Sequence, residues 1–251
     1  MNFFGKTDIG KTRTANQDSF FAGYLCDMQD NNRDNNPLLF VVCDGMGGAA
    51  GGKIASSVAV DTFVSNVKQL YYKKQYETYE QLLSVCAQRA NLTVFSRSTT
   101  DENLSGMGTT LTAALVTDDR ICVVNVGDSR VYAIKNKKIK QITKDHSYVQ
   151  ELLDGGQISP EQAKNHPNKN IITRALGSKE NVEADTFTIV EKTDGIVLCS
   201  DGLCNHVDDT QILNEFYITN DTENICQNLI DLANSGGGRD NITVVAVSFL
   251  Q

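Results

Sequence analysis

Leu38-Leu39-Phe40-Val41-Val42-Cys43-Asp44-Gly45 is a run of six apolar residues closed by an acid and a glycine. A continuous apolar run of this length, ending in a turn signal, reads as a buried strand. The Asp-Gly end delivers a carboxylate to the rim of a sheet, and the glycine lets the backbone turn tightly behind it. Ile196-Val197-Leu198-Cys199-Ser200-Asp201-Gly202 repeats the pattern. Asp18 in Asn16-Gln17-Asp18 and Asp240 in Gly238-Arg239-Asp240-Asn241 add two more acids, so the set spans nearly the whole chain. Carboxylates gathered at one sheet edge repel each other unless cations neutralise them, and oxygen-only ligands suit magnesium or manganese, not zinc or copper. The pattern points to a binuclear metal centre.

Working outward, residues 109–117, 121–126, 131–134, 139–142, 185–190 and 242–248 also read as strands. Two long helices follow the first strand. Val60, Phe63, Val64, Val67 and Tyr71 recur at helical spacing in one, and Leu83, Cys86, Ala87, Ala90 and Val94 in the other. Residues 208–217 and 222–234 look helical too, with Asp221 or Thr222 as N-cap and Gly236-Gly237-Gly238 as a stop. Strands in sequence-adjacent runs, without strict alternation with helices, predict an antiparallel α+β layering instead of a doubly wound parallel sheet. No repeat or low-complexity linker interrupts the chain, so one domain over 1–251 is expected. Lys144–Gly177 is a polar stretch with short helical patches, and a loop of that length often covers an active site.

The 251 residues are enough for an ample core. A hydrophobic content of 40% and a charged content of 22% fit a soluble globular protein. The net charge of −8 argues against general nucleic-acid or anionic-membrane binding. No apolar run approaches the ~20 residues of a transmembrane helix, and the N-terminus lacks the layout of a signal peptide. Seven cysteines, odd in number, without a C-x-x-C and with Cys43, Cys122 and Cys199 inside apolar runs, read as reduced core residues of a cytosolic protein.

Three motifs admit more than one reading. Gly47-x-x-x-x-Gly52-Lys53 fits most of a nucleotide-binding P-loop, yet Ile54 stands where that mechanism needs a Ser or Thr hydroxyl on the metal. The other reading has Asp44 and the Gly45 carbonyl bind metal while the small residues let the following helix pack close. Arg13, five residues before Asp18, is either a solvated surface cation or a guanidinium fork for phosphate oxygens. Gly127-Asp128-Ser129-Arg130 is either a further acidic site or a hairpin turn with a structural Asp–Arg pair.

Taken together and in order, these motifs resemble the metal-dependent protein serine/threonine phosphatases of the PPM family (type 2C), in their compact bacterial form. The resemblance runs from Thr7 and Arg13/Asn16-Gln17-Asp18 through Asp44-Gly45-Met46-Gly47-Gly48, Ser105-Gly106-Met107-Gly108-Thr109-Thr110 and Gly127-Asp128-Ser129-Arg130. It continues through Lys144-Asp145-His146-Ser147, His166-Pro167, Thr173-Arg174-Ala175-Leu176-Gly177, Ser200-Asp201-Gly202-Leu203 and Arg239-Asp240-Asn241. It implies a four-layer α-β-β-α sandwich of two antiparallel sheets, with metals at one edge and a flap over residues 144–180. By the same resemblance Asp44 bridges two tightly bound Mn or Mg ions, the Gly45 carbonyl completes one, and Asp201 and Asp240 hold the second. Asp18 acts mainly through metal-bound water, Asp128 with Asp201 holds a third, weaker ion, and Arg13 binds the substrate phosphate. The implied reaction is hydrolysis of phosphoserine and phosphothreonine in proteins by a metal-activated water. Two ions roughly 3.5–4 Å apart would lower the pKa of a bridging water and neutralise charge at phosphorus. A cognate Ser/Thr kinase and its substrates are the implied partners of a cytoplasmic monomer. The rival readings are an inactive phosphoprotein-binding relative and a nucleotide hydrolase. The chain departs from part of the family at Met46 and Ala49, where some members carry histidine, so no histidine acid is read there. His146, His166 and His206 are expected in the flap or on the surface.

Overall fold

A computed structural model describes residues 1–25, 36–219 and 221–250. Its strands make two antiparallel sheets. The first runs in the order β1 (Asn2–Asp8), β11 (Ile242–Ser248), β10 (Gly195–Cys199), β7 (Arg130–Lys135), β8 (Lys138–Gln141). The second runs β2 (Asp18–Tyr24), β3 (Leu38–Met46), β5 (Leu111–Val116), β6 (Ile121–Val126), β9 (Asp185–Ile189), with the two-residue β4 (Gly108–Thr109) paired to the end of β3.

The period-two geometry of a strand divides the long apolar runs between two cores. Leu39, Val41 and Cys43 of β3 meet the helix layer of α1 (Gly48–Tyr72) and α2 (Tyr79–Thr100). Leu38, Phe40 and Val42 face the other sheet, where Val131, Ile196, Leu198, Val245 and Val247 receive them. The outer face of the first sheet packs on α5 (Asp201–Cys204), α6 (Asp209–Ile218) and α7 (Thr222–Ser235), with Phe216, Ile225, Leu229 and Ile230 buried against Val197, Val244 and Ala246. The result is the expected α-β-β-α sandwich. Burial on both faces is why Leu38–Cys43 shows no polar alternation, and each such side chain contributes roughly 1.5–3 kcal/mol.

Two strands lie outside the sequence expectation. β1 (NFFGKTD) and β2 (DSFFAGY) each carry one Phe pair among small and polar residues, and each is the outermost strand of its sheet, half-buried along most of its length. They meet across the sandwich at Gly5, where a β-carbon would run into the Phe20 ring. The expected strand 109–117 is broken at Thr110, whose N–H donates to the Asp44 carbonyl (2.9 Å) while its hydroxyl accepts from the Asp44 N–H (2.9 Å). The hairpin reading of Gly127–Arg130 fails. β6 belongs to one sheet and β7 to the other, so this turn carries the chain between sheets, and Arg130 pairs with Asp145 at 2.6 Å.

Residues 144–177 fold into α3 (Tyr148–Asp154) and α4 (Pro160–Lys164), capped by Ser147 and by a reciprocal Ser159–Gln162 box. The bridge Ser147↔Ile172 closes the segment on itself, and Thr109↔Leu176 ties it back to the body. Six cysteines are described and free, and Cys26 lies outside the described residues. Among the described residues no helix is long and apolar enough to cross a membrane.

Candidate metal centre

Both sheets end at one edge in acids. Asp18 opens β2 and Asp44 lies near the end of β3, and the antiparallel register sets the two directly opposite each other. Like charges in that position destabilise a sheet unless something offsets them. Asp201 follows β10 at the start of α5, Asp240 precedes β11, and Asp128 sits in the turn between sheets. Asp44, Gly45, Asp128, Asp201, Asp240 and Arg13 line one cavity of about 460 Å³. Asp18 lies behind it, buried.

The support beneath each acid is polar and specific. Asp18 Oδ2 accepts from the hydroxyls of Ser200 (2.8 Å) and Thr243 (2.6 Å). Thr243 in turn meets the Thr7 hydroxyl at 2.8 Å, Asn16 Nδ2 donates to Thr7 (2.9 Å), and Asn16 Oδ1 accepts from the Asp18 N–H (3.0 Å). This closed circuit explains why Thr7 and Asn16 accompany Asp18. Asn241 Nδ2 donates to the carbonyls of Ile9 and Ala15 while its Oδ1 accepts from Gln17 N (2.7 Å), which pins the Arg13 loop to β11. Lys11 N and Thr12 N both donate to the Gly238 carbonyl, stitching that loop to the one bearing Asp240. Arg13 then forms a two-pronged pair with Asp240, Nε to Oδ1 at 2.9 Å and a terminal nitrogen to Oδ2 at 2.7 Å.

Gly45 and Gly52, after Asp44, serve packing. A β-carbon on Gly45 would overlap the Gly52 carbonyl and come within 2.6 Å of the Gln17 carbonyl oxygen. The helix α1 begins at Gly48, so Gly48–Lys53 is already helical and forms no phosphate-cradling loop; this removes the P-loop reading.

Charge and burial act in the same direction on these acids. Burial first, then the neighbouring carboxylates, push Asp44 well above the ordinary carboxylate range. Asp18 is raised to about 7 by burial, against the pull of its two hydroxyl donors, and Asp128 to about 8 by burial and by Asp201. Asp201 is raised by burial and by Asp240. Among the described residues the acids do not form a closed coordination shell as placed. Their chemistry nevertheless fits a hard divalent cation: the donors are oxygens, and Asp18 Oδ1 and Asp201 Oδ1 are buried without a hydrogen-bond partner.

The protein phosphatase 2C family model matches residues 10–230. The serine/threonine phosphatase stp of Listeria welshimeri is 40% identical over 243 residues, covering 96% of this chain and 93% of that protein. The chain belongs to the protein phosphatase 2C family. Its fold is that of the family's solved members. The crystal structure of the Mycobacterium tuberculosis serine/threonine phosphatase PstP/Ppp superposes with a TM-score of 0.87 at 33% identity, covering 100% of this phosphatase and 99% of that chain. The catalytic domain of the serine/threonine protein phosphatase PstP, solved in complex with two manganese ions, gives 0.83 at 32% identity, with 100% and 98% covered.

His146 lies in the expected flap segment 144–180, and there it is buried in this phosphatase: its Nδ1 accepts from Gly127 N (3.1 Å), its backbone N–H donates to the Gly127 carbonyl (2.9 Å), and its Nε2 faces Asp185 at 3.2 Å. It braces the turn that presents Asp128. The signal for it is its place right after Asp145, the partner of Arg130. His166 caps a loop beside the Tyr148 ring, and His206 accepts from Arg239 N at 3.4 Å. Neither lines the 460 Å³ cavity.

Proposed function

We propose that this serine/threonine protein phosphatase hydrolyses phosphoserine and phosphothreonine in proteins at a manganese or magnesium centre held by Asp18, Asp44, the Gly45 carbonyl, Asp128, Asp201 and Asp240. The observation that carries the reading is the convergence of five carboxylates from distant parts of the chain on one edge, four of them lining a cavity that also holds a guanidinium and Asp18 buried behind it. When bound, divalent ions supply Lewis acidity, lowering the pKa of water and neutralising charge at phosphorus. The chain's own residues do the rest. Asp44 and Asp201 lie within each other's electrostatic reach and would together offset the cation charge. Asp18, fixed by Ser200 and Thr243, orients water from behind the cavity. Asp128, on the turn that His146 braces, would hold a third and weaker ion with Asp201. Arg13 grips the phosphate oxygens and sets them against the carboxylate wall. Cys43 and Cys199, near the ends of the strands that lead to Asp44 and Asp201, have no part as nucleophiles: both are buried and raised well above the ordinary thiol range.

The segment 144–180 acts as a flap over the site within a single catalytic domain. A second cavity of about 670 Å³ lies between its helices and the α5–α6 corner and shares Asp128 and Asp201 with the first. That continuity offers a protein substrate a path beside the phosphate site. The acidic ligand set argues for an active enzyme over an inactive phosphoprotein-binding relative, and phosphoproteins made by a cognate Ser/Thr kinase are the expected substrates. The test is hydrolysis of an aryl phosphate, a phosphothreonine peptide and ATP, each with manganese and with chelator. Manganese-dependent turnover of the first two supports the reading. Full activity in protein shown by elemental analysis to be metal-free would sink it.

A further inference from the structure

We infer that Arg13 is shared between Asp240 and the substrate phosphate, so that cation and phosphate are taken up cooperatively, the cation first. The inference rests on the proposed roles of Asp240 and Arg13 and adds a coupling between them. Asp240 Oδ1 already accepts from Arg13 Nε (2.9 Å) and from Asn241 N (2.9 Å). Oδ2 is therefore the oxygen better placed for a cation, and it is the one the Arg13 terminal nitrogen holds at 2.7 Å. A cation and the guanidinium compete for the same atom. The loop bearing Arg13 is tied by Lys11 N and Thr12 N to the Gly238 carbonyl and by Asn241 to Ile9 and Ala15. A change of partner is thus a side-chain swing and not a loop rearrangement.

Release leaves the guanidinium on the wall of the cavity, within the field of Asp44 and Asp201 and free of its carboxylate. That is where an anion stripped of competition would meet it. Phosphate arriving first would have to break the pair without any compensating charge on Asp240. Coupling of this kind is reciprocal, so phosphate must tighten cation binding by the factor by which the cation tightens phosphate.

The test is calorimetric titration of Mn²⁺, with and without inorganic phosphate, into the wild type, Arg13→Ala, Arg13→Lys, Asp240→Asn and the Arg13→Ala/Asp240→Asn double variant. The relevant step is the one that Asp240→Asn weakens. The Arg13 and Asp240 side chains are 52% and 33% exposed, and pairs of this kind account for up to about a fivefold effect. Arg13→Ala should tighten that step about three- to fivefold, Arg13→Lys less, and the shift should vanish in the Asp240→Asn background. The mutual strengthening of Mn²⁺ and phosphate should shrink by a similar factor in Arg13→Ala. Unchanged Mn²⁺ affinity in both Arg13 variants overturns the inference. So does a tightening that persists with Asp240→Asn, which would mark plain charge repulsion. Absence of any Mn²⁺ binding by the wild type would instead remove the metal centre itself.

Discussion

Raising the pH of the metal-stripped protein from 5 to 7 should destabilise it, and manganese should abolish the effect. The perturbation acts on Asp18 and Asp128, raised from 3.8 to about 7 and about 8 mainly by burial. In the unfolded chain both are ionised by pH 5; in the fold both keep their protons to near neutrality. The folded state then binds more protons than the unfolded one. Stability is full below pH ~4, falls as pH rises, and levels off above the folded values. These two protons, together with those that Asp44 and Asp201 retain, amount to several kcal/mol across the two pH units at ~1.4 kcal/mol per proton per unit, a large part of a domain's usual 5–15 kcal/mol. His206, held below its ordinary value by burial and Arg239, works in the opposite direction near pH 6.5 and trims the slope. Urea denaturation at pH 5, 6 and 7, in chelator and in saturating manganese, measures the effect. Asp128→Asn should make the slope in chelator shallower. A metal-stripped stability that is flat or rises between pH 5 and 7 would refute the reasoning.

The remaining predictions concern the site and its cover. Asp44→Asn and Asp201→Asn should each lower turnover by orders of magnitude at saturating manganese, whereas Asp128→Asn should spare the tight ions and still slow turnover; steady-state kinetics with metal titration separates them. Gly45→Ala forces a β-carbon onto the Gly52 carbonyl, so it should lower stability by about 1–3 kcal/mol in urea unfolding, and a wild-type midpoint would contradict the packing argument. Substitutions at the exposed flap residues Gln157, Glu161 and Lys164 should shift kcat/KM among phosphopeptides and leave an aryl phosphate unaffected; equal losses on both substrates would place the flap in the chemistry.

What the sequence discloses depends on how local the signal is. Asp44 and Asp201 were legible because a buried run and an Asp-Gly turn sit side by side in the chain, and the layers followed from the same runs. β1 and β2 were not, because an outer strand half exposed to water needs no unbroken apolar pattern. The partners of Arg130 and the burial of His146 depend on Asp145 and Gly127 being folded against each other across an intervening strand pair. The Ser200–Asp18–Thr243 contacts join residues more than 180 positions apart, beyond the reach of any spacing rule.

The turn at Gly127–Ser129 crosses from one sheet to the other, and the acids divide the same way: Asp18 and Asp44 ride on the second sheet, Asp201 and Asp240 on the first. The spacing between these two pairs is therefore gauged by the apolar layer where Phe40 and Val42 meet Leu198 and Val245. A close-packed interior transmits strain instead of absorbing it. Thinning that layer, for instance with Phe40→Leu, would detune the jaws that grip the ions while the helices and strands stay in place. In this architecture the greasy middle of the sandwich is the calibration of its polar rim.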